Sequence, residues 1–293
     1  MKGQYLVRLV NEHPLAVMPA KLQQFEAFLH YRLAGGPPVQ YQAAAGPSYR
    51  VDGAVAVLPL FGVISQRLGM IDEMSGGTSL EAFMARFRAA LADPGVRSIV
   101  LQIDSPGGSV YGVQEAAEEI RAARDSKRII AAVDPLAASA AYWLASATSE
   151  IAMTPSGDVG SIGVVGMHVD YSEALAAEGI KVTYIHAGKH KVEGNQTEPL
   201  GEDARAFMQQ RVDEYYSAFV RAVSKGRGVT PETVRKDFGE GRVFGADQAL
   251  SVGMIDRIEP LAETIRRAQP RTRRPSAAAK AEADIAAAIL QAS

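Results

Sequence analysis

Hydroxyl, amine, carboxylate and imidazole groups supply the reactive side chains of this chain of 293 residues, because it contains no cysteine. The absence of cysteine excludes disulfides, thiolate nucleophiles and cysteine-ligated zinc. A serine hydroxyl is a poor nucleophile and needs a base within hydrogen-bond reach. A lysine can be that base only when it is neutral, and burial can lower a lysine pKa from about 10.4 to about 7. One serine and one lysine of the sequence stand in segments that suit this chemistry.

The serine is Ser139, in the segment LAASAAYWL at residues 136–144. It stands where a strand and loop are predicted to pass into a helix, and alanines flank it on both sides. Small neighbours allow a substrate carbonyl to come close, and a helix N-terminus favours a developing negative charge. The same position also suits an ordinary N-cap serine. Local sequence leaves both interpretations open.

The lysine is Lys191, in HAGKHKVEG at residues 186–194, directly after a predicted strand. A basic cluster in a loop is usually solvated surface, and we assign Lys189 to that class. Lys191 can act as a base only if it turns inward, away from solvent. His186 and His190 in the same loop offer a rival base for a Ser-His-Asp triad. In an extended segment His190 and Lys191 point to opposite sides, so we rank the lysine first.

Two glycine-rich segments could approach a ligand with their backbone. Residues 104–109 read DSPGGS after a predicted strand, and a glycine pair there lets N–H groups come close to a ligand. Taken alone, Pro-Gly-Gly is also a common turn. Residues 160–163 read GSIG, but their spacing differs from the phosphate-binding fingerprints and no Walker lysine follows. We therefore predict no nucleotide site, and the sequence indicates no other cofactor and no metal.

Short apolar strands alternate with helices through the middle of the chain, which predicts an α/β fold with a mostly parallel sheet. Open sheets of this class place their sites at the carboxyl ends of the strands, where the DSPGGS segment falls. The strands are predicted at residues 54–59, 97–104, 128–133, 150–153, 162–170 and 182–186, and the helices at 80–91, 109–124, 139–147, 171–178 and after residue 201.

The two ends of the chain differ from this pattern. Residues 1–50 read as an N-terminal helical extension, with apolar residues at helical spacing over residues 19–33. The main domain is predicted to span residues 51–260. Residues 261–293 combine clustered arginines, prolines and many alanines, which predicts a flexible basic tail. Both a solvated tail and a partner-binding extension fit this composition.

Charge and hydropathy narrow the classes of function. The 31 basic and 33 acidic residues give a net charge of −2, which does not indicate a nucleic-acid-binding field over the whole chain. No apolar run approaches the length of about 18 residues that a membrane helix needs, and the start of the chain lacks the apolar stretch of a signal peptide. We therefore expect a soluble, cytoplasmic protein that binds neither nucleic acid nor membranes.

Four motifs, in their order and spacing, resemble the signal peptide peptidase A family of serine peptidases, within the Clp-protease and crotonase superfamily. They are SPGG at residues 105–108, AASAAY at 137–142, GSIGV at 160–164 and GKHK at 188–191. The lysine loop is most similar to that of tailed-phage prohead proteases. The resemblance covers about residues 54–258 and implies a Clp/crotonase-like core.

The resemblance assigns a role to each motif. It implies that Ser139 is the nucleophile, that Lys191 is the general base and that Ser161 holds the lysine in place. Cellular members have Gly-Gly after the serine where this chain has two alanines, which still offer their backbone N–H groups. The implied oxyanion hole lies between backbone N–H donors of Gly107, Gly108 and Ala140.

The implied activity is that of a serine endopeptidase with a Ser-Lys dyad, which processes scaffold, portal or capsid proteins during phage prohead maturation. The resemblance also suggests a ring-like homo-oligomer, located in the host cytoplasm or the prohead interior. Three alternatives remain open: a cellular peptide-degrading protease of the same family, a crotonase-like acyl-CoA enzyme, and an inactive assembly subunit. The acyl-CoA alternative predicts acidic catalytic residues and gives Ser139 and Lys191 no role.

Overall fold

A computed structural model describes residues 14–18, 49–67 and 77–270. The strands are β1 (Leu15–Val17), β2 (Arg50–Asp52), β3 (Val55–Phe61), β4 (Ile64–Ser65), β5 (Thr78–Ser79), β6 (Ser98–Ser105), β7 (Gly107–Ser109), β8 (Arg128–Ala138), β9 (Glu150–Met153), β10 (Asp158–Gly160), β11 (Val243–Gly245) and β12 (Arg257–Ile258). The helices are α1 (Leu80–Ala92), α2 (Val113–Ala123), α3 (Ala140–Ser146), α4 (Ser172–Ala177), α5 (Glu202–Arg227), α6 (Pro231–Asp237), α7 (Ala246–Ser251) and α8 (Leu261–Ala268).

The central sheet is mostly parallel. Its strands follow the order β11-β10-β8-β6-β3-β2, and β9 pairs with both β8 and β12. The strands β3, β6 and β8 run parallel, with Val55 beside Ser98 and Ser98 beside Arg128. Among the described strands of this sheet, β2 and β11 run antiparallel to their neighbours. The predicted α/β class, with a mostly parallel sheet flanked by helices, is confirmed.

Alternating side chains of the central strands enter two hydrophobic layers. On one face, Leu58 of β3 and Leu101 of β6 belong to the larger core, together with residues of α1, α2, α3 and α5. On the other face, Val57 and Val100 pack with Ile265 of α8. Because both faces of these strands are covered, their sequences are nearly continuous apolar runs.

The segment Leu15–Val17 is part of the fold. It forms β1 in a small sheet with the order β1-β7-β4-β5, and Ala16 is fully buried. The structure differs here from the helical extension predicted over residues 1–50, because the apolar spacing of residues 19–33 carries no information about a strand that pairs with β7. The predicted helix over residues 19–33 lies outside the described residues.

The helix α8 extends the packed domain beyond the predicted boundary at residue 260. Ile265 is buried against the sheet, and an Nη atom of Arg267 donates a hydrogen bond to Glu150 at 3.0 Å. We expected a flexible tail from residue 261 because arginines read as solvated, whereas Arg267 pairs with acidic groups of the sheet. Residues 271–293 lie outside the described residues, so the tail stays a prediction there.

The segment between β10 and α5 is the least packed part of the described chain. The strand predicted at residues 162–170 is reduced to a single antiparallel bridge between Val165 and Leu15. The strand predicted at residues 182–186 does not form. Its apolar side chains are exposed, including Ile185 at 99%. A strand needs a partner edge, and this segment has none among the described residues.

None of the helices described has both the length and the apolar character that crossing a membrane requires.

Candidate active site

Ser139 occupies the sharp turn between β8 and α3. Its backbone has φ 53° and ψ −118°, a conformation that costs a non-glycine residue about 1–3 kcal/mol. The N–H of Ser139 donates to Gly160 O at 2.7 Å, and the N–H of Trp143 donates to Ser139 O at 2.9 Å. Strained strand-to-helix turns of this kind expose nucleophilic serines in hydrolases.

The hydroxyl of Ser139 does not act as the N-cap that local sequence also allowed. Its side chain makes no capping hydrogen bond to α3. It donates instead to Gly163 O at 3.4 Å, which is a weak bond at that length. Ser139 is fully buried, so a nearly free hydroxyl is held in a shielded place.

A buried aromatic layer fixes α3 behind the serine. Trp143 stacks on Phe219 of α5, with ring centroids 4.6 Å apart. The Tyr142 hydroxyl donates to Met254 O at 2.8 Å. Burial raises the pKa of Tyr142, so the phenol stays protonated and keeps this bond. The serine turn therefore rests on a rigid support.

The strand β7 passes so closely between β4 and the serine turn that it requires glycine at two positions. A Cβ on Gly108 would lie 1.9 Å from Ile64 O. A Cβ on Gly107 would lie 2.9 Å from Ala138 O and 3.0 Å from Ala140 N. Such distances are too short for real Cβ atoms, and Gly107 also has φ +95°. The predicted oxyanion residues Gly107 and Ala140 are thus neighbours beside the serine.

The backbone N–H of Gly107 already has a partner, because it donates to Ser105 Oγ at 3.2 Å. Ser105 is buried, and its hydroxyl donates to Gly62 O at 2.6 Å. The bond from Gly107 is at the long limit for N–H···O contacts. A negatively charged oxygen accepts more strongly than a hydroxyl, so an oxyanion here would compete well for this N–H.

Ser161 lies in the segment that closes the site on the side of β10. Its φ is 53°, and its N–H donates to Arg242 O at 2.7 Å. Its neighbour Gly160 accepts the N–H of Ser139, so the two serines belong to one cluster. Ser161 is buried, with only 4% of its surface exposed. Its hydroxyl makes no hydrogen bond to another described residue. It is free to hold an amine.

Two backbone carbonyls that accept hydrogen bonds from Ser139 were not predicted from the sequence. The carbonyls of Gly160 and Gly163 accept the N–H and the hydroxyl of Ser139, respectively. Their role depends on how residues 160–165 cross the end of β8. The GSIG pattern was the available signal, and without the strand pairing it indicated only a turn.

Lys191 is the predicted site residue that the structure does not bring to the others. Its side chain is exposed, and its backbone N–H donates to Gly188 O at 3.1 Å within the loop. No contact joins Lys191 to Ser139 among the described residues. It ends the run of residues 180–191, which we call the lysine segment and which forms neither a helix nor a strand in the structure.

The profile of peptidase family S49 matches residues 121–273, which include Ser139, Ser161 and Lys191. A head-tail preconnector protein of Enterobacteria phage P21 is 38% identical over 210 residues, which cover 72% of this chain and 42% of that protein. The chain belongs to peptidase family S49. The predicted relation to signal peptide peptidase A and to phage proteases is confirmed.

Other relatives in family S49 are phage and cellular proteins. Capsid assembly protease C of Escherichia phage lambda is 34% identical over 243 residues, which cover 83% of this chain and 54% of that protein. Protease 4 of Salmonella typhi is 27% identical over 217 residues, which cover 74% of this chain and 34% of that protein. The chain therefore spans about half or less of the length of these relatives.

A solved structure of a membrane-bound stomatin-specific protease mutant aligns with 16% identity and a TM-score of 0.48, covering 74% of this chain and 85% of that chain. A likeness of this strength carries no argument about the site.

The two histidines of the lysine segment do not lie where they could act as a base for Ser139. Nδ1 of His186 lies 3.1 Å from Gly188 O, and His190 is bonded to Glu193. Both side chains are exposed, and neither contacts Ser139. The triad alternative thus finds no geometric support.

Carboxylates are also absent from the immediate contacts of Ser139. Asp104, which ends β6 next to the SPGG segment, has a pKa raised by burial and then by the charge of Asp134. No hydrogen bond joins it to Ser139 within the described residues. Family membership and this geometry both favour a peptidase over an acyl-CoA enzyme.

Proposed function

We propose that this protein is a serine endopeptidase in which Ser139 is the nucleophile and Lys191 is the general base. The observation that carries the proposal is the turn at Ser139. It combines a strained backbone, a weakly bonded hydroxyl, and the N–H of Ala140 beside Gly107. Membership of family S49 supports the same chemistry.

In the proposed reaction, the neutral amine of Lys191 takes the proton of the Ser139 hydroxyl as Oγ bonds to the peptide carbonyl carbon. The carbonyl oxygen becomes an oxyanion, which accepts hydrogen bonds from the N–H groups of Ala140 and of β7. Each such donor contributes about 2.7–4 kcal/mol to the transition state. The lysine then gives its proton to the leaving amine as the C–N bond breaks, and water hydrolyses the acyl-enzyme by the same steps.

The exposed lysine segment leads us to propose a homo-oligomer. Ile180, Val182 and Tyr184 are apolar, stand at alternate positions and are 48%, 41% and 41% exposed. Such a pattern is that of a half-buried strand without its partner, and an exposed apolar run marks an interface. In the proposal, association of copies covers this run, orders the lysine segment and brings Lys191 to a Ser139 of the assembly.

We propose phage structural proteins, namely scaffold, portal or capsid proteins, as the substrates. The names of the two phage relatives support this assignment, since one is a capsid assembly protease and the other a head-tail preconnector protein. The enzyme would then act in the host cytoplasm or in the prohead interior. The relation to Protease 4 supports a second candidate, a cellular peptide-degrading protease.

The proposed function is tested by following hydrolysis of unfolded casein and of the phage's own scaffold protein by the purified protein. Ser139→Ala should abolish hydrolysis of either substrate while the thermal unfolding curve stays unchanged. Ser126→Ala changes an exposed serine between α2 and β8. It is the matched control and should retain full activity. Hydrolysis by Ser139→Ala at the original rate would overturn the nucleophile assignment. Cleavage of casein without cleavage of the scaffold protein would favour the cellular candidate.

A further inference from the structure

The strand β1 lies between the two segments that border Ser139. On one side it pairs antiparallel with β7, with Ala16 opposite Gly108 and Val17 opposite Gly107. On the other side Leu15 and Val165 exchange two backbone hydrogen bonds, of 2.8 and 2.9 Å. Three residues of this chain thus fill a slot that has a backbone edge on each side.

This slot reaches the serine turn. The position that a Cβ on Gly107 would take lies 2.3 Å from Ala16 O and 3.0 Å from Ala140 N. The backbone of β1 and the proposed oxyanion donor therefore approach the same point. On the opposite edge, Val165 follows two residues after Gly163, which accepts the Ser139 hydroxyl.

An extended peptide substrate would need this same slot. To place a scissile carbonyl between Ser139 and Ala140, the peptide must run past β7 and past residues 163–165. Addition of a strand to free backbone edges is a general way in which proteins hold extended peptides. We call this slot the peptide track, bounded by β7 and Val165.

The occupant of the peptide track is short and apolar, as a bound peptide would be. Ala16 is fully buried, Val17 is 6% exposed, and Leu15 is half-buried. One further bond, from the N–H of Met18 to Pro106 O at 2.9 Å, fixes its end. Its three residues make β1 a short strand, and prolines stand at both 14 and 19. A strand this short is the kind of element that a competing peptide can replace.

We propose that Leu15–Val17 is an internal inhibitory strand, which occupies the peptide track and must leave before a peptide substrate can bind. This inference rests on the proposed peptidase function. When the site is open in only a fraction of the molecules, the apparent Kd for its ligand equals the intrinsic Kd divided by that fraction. The strand therefore raises the KM for peptide substrates and leaves kcat nearly unchanged, because it touches the track and not the reacting atoms.

The first test removes the strand from the track in the full chain. Leu15→Pro deletes the N–H that donates to Val165 O, whereas the control Leu15→Val keeps that N–H and an apolar side chain. We expect Leu15→Pro to lower the KM for a peptide substrate by about tenfold or more, with kcat within about twofold. The control should match the unchanged protein. A folded Leu15→Pro variant with an unchanged or higher KM would overturn the inference.

The second test does not require catalysis, so it separates this inference from the proposed function. The probe is a fluorescent peptide with the sequence EHPLAVMPA of residues 12–20. Fluorescence polarisation should show at least about tenfold tighter binding to the Leu15→Pro/Ser139→Ala variant than to Ser139→Ala alone. Equal binding to both, or binding to neither, contradicts the inhibitory strand even if the protein hydrolyses other substrates.

A third measurement covers the case in which Leu15→Pro fails to fold. Amide hydrogen exchange is followed by mass spectrometry on Ser139→Ala, in a fragment that contains residues 14–18. Saturating EHPLAVMPA peptide should increase deuterium uptake in that fragment, because the strand is displaced and its amides open to solvent. Unchanged uptake at saturation would overturn the inference.

Discussion

The nucleophile region and the lysine segment of this member of family S49 differ in how the chain supports them. The nucleophile region, residues 105–109, 137–147 and 159–163, is almost entirely buried, and backbone hydrogen bonds fix its turn. The lysine segment carries exposed apolar side chains and no strand pairing in the described chain. In the proposed dyad, the serine is thus positioned within a single chain, whereas the lysine is brought to it by association of copies. Under that proposal, association of copies controls activity.

The largest effect is expected when the proposed base, Lys191, is replaced. Lys191→Arg should reduce kcat/KM by about 10³-fold or more, because a guanidinium stays protonated and cannot accept the serine proton. His190→Gln is the matched change in the same loop and should retain most activity. Steady-state hydrolysis of a peptide substrate measures both. An active Lys191→Arg variant beside an inactive His190→Gln variant would restore the histidine mechanism.

The second effect concerns the packing of the nucleophile region. Gly108→Ala should destabilise the protein by more than about 3 kcal/mol, because its Cβ would lie 1.9 Å from Ile64 O. Gly201→Ala is the control, since no atom lies within 4 Å of its added Cβ. Gly201 is the N-cap of α5, so the change should cost less than about 1 kcal/mol. Urea denaturation compares the two variants. Equal stabilities would mean that β7 does not pass Ile64 of β4 this closely.

The third effect is expected from substitutions in the lysine segment that leave the nucleophile region unchanged. Ile180→Asp combined with Val182→Asp should lower activity by about tenfold or more, because charges at these exposed apolar positions oppose association. Thermal stability of the single chain should stay within a few degrees of the original. Size-exclusion chromatography with light scattering should show smaller particles. Full activity in particles of unchanged size would contradict the proposed role of the segment.

The smallest effect concerns the ion pairs that fasten α8 to the sheet. Burial alone would raise the pKa of Glu150, but hydrogen bonds and charges from Arg267, Arg128 and Arg257 lower it from 4.5 to about 2. A carboxylate with a lowered pKa stabilises the folded state fully above pH 4.5, and this contribution is lost as the pH falls from 4.5 to about 2.

Glu150→Gln should therefore cost about 1–3 kcal/mol at pH 7 and flatten the acid dependence of stability between those two pH values. Glu232→Gln, in the exposed i,i+4 pair with Lys236, is the control and should cost less than about 1 kcal/mol. Thermal unfolding measured from pH 7 to pH 2.5 compares them. A Glu150→Gln curve that keeps the original acid slope would show that Arg267 and its partners do not fasten α8.

Sequence patterns predicted the elements that a local apolar period determines. The helix α1 and the strands β3, β6 and β9 appear near their predicted places, because each buries a face that its own residues define. The pairing of β1 with β7 could not be predicted, since it joins residues far apart in the chain and has only three residues. The strand at residues 182–186 was predicted from a valid apolar pattern, but the pattern cannot show whether a partner edge lies in the same chain.

In the candidate site too, local features could be predicted, whereas contacts between distant segments could not. The sequence placed Ser139 at a strand-to-helix turn, and the family resemblance implied that Gly107 and Gly108 lie near it. The structure brings Ser139 together with Gly107, Ala140 and Ser161. The sequence showed no sign of the Ser105 bond to Gly107 or of the Gly163 carbonyl, because both depend on how the two sheets meet. The role of each residue in catalysis stays a prediction.

The central claim is that Ser139 is activated by Lys191. The most direct measurement is to react the assembled protein with a fluorophosphonate probe, which modifies activated serines, and to map the modified residue by mass spectrometry. The probe should modify Ser139 in the unchanged protein. It should modify Lys191→Arg, folded and of the same particle size, at least about 100-fold more slowly. Modification of a different serine, or equal rates in the two proteins, would contradict this claim.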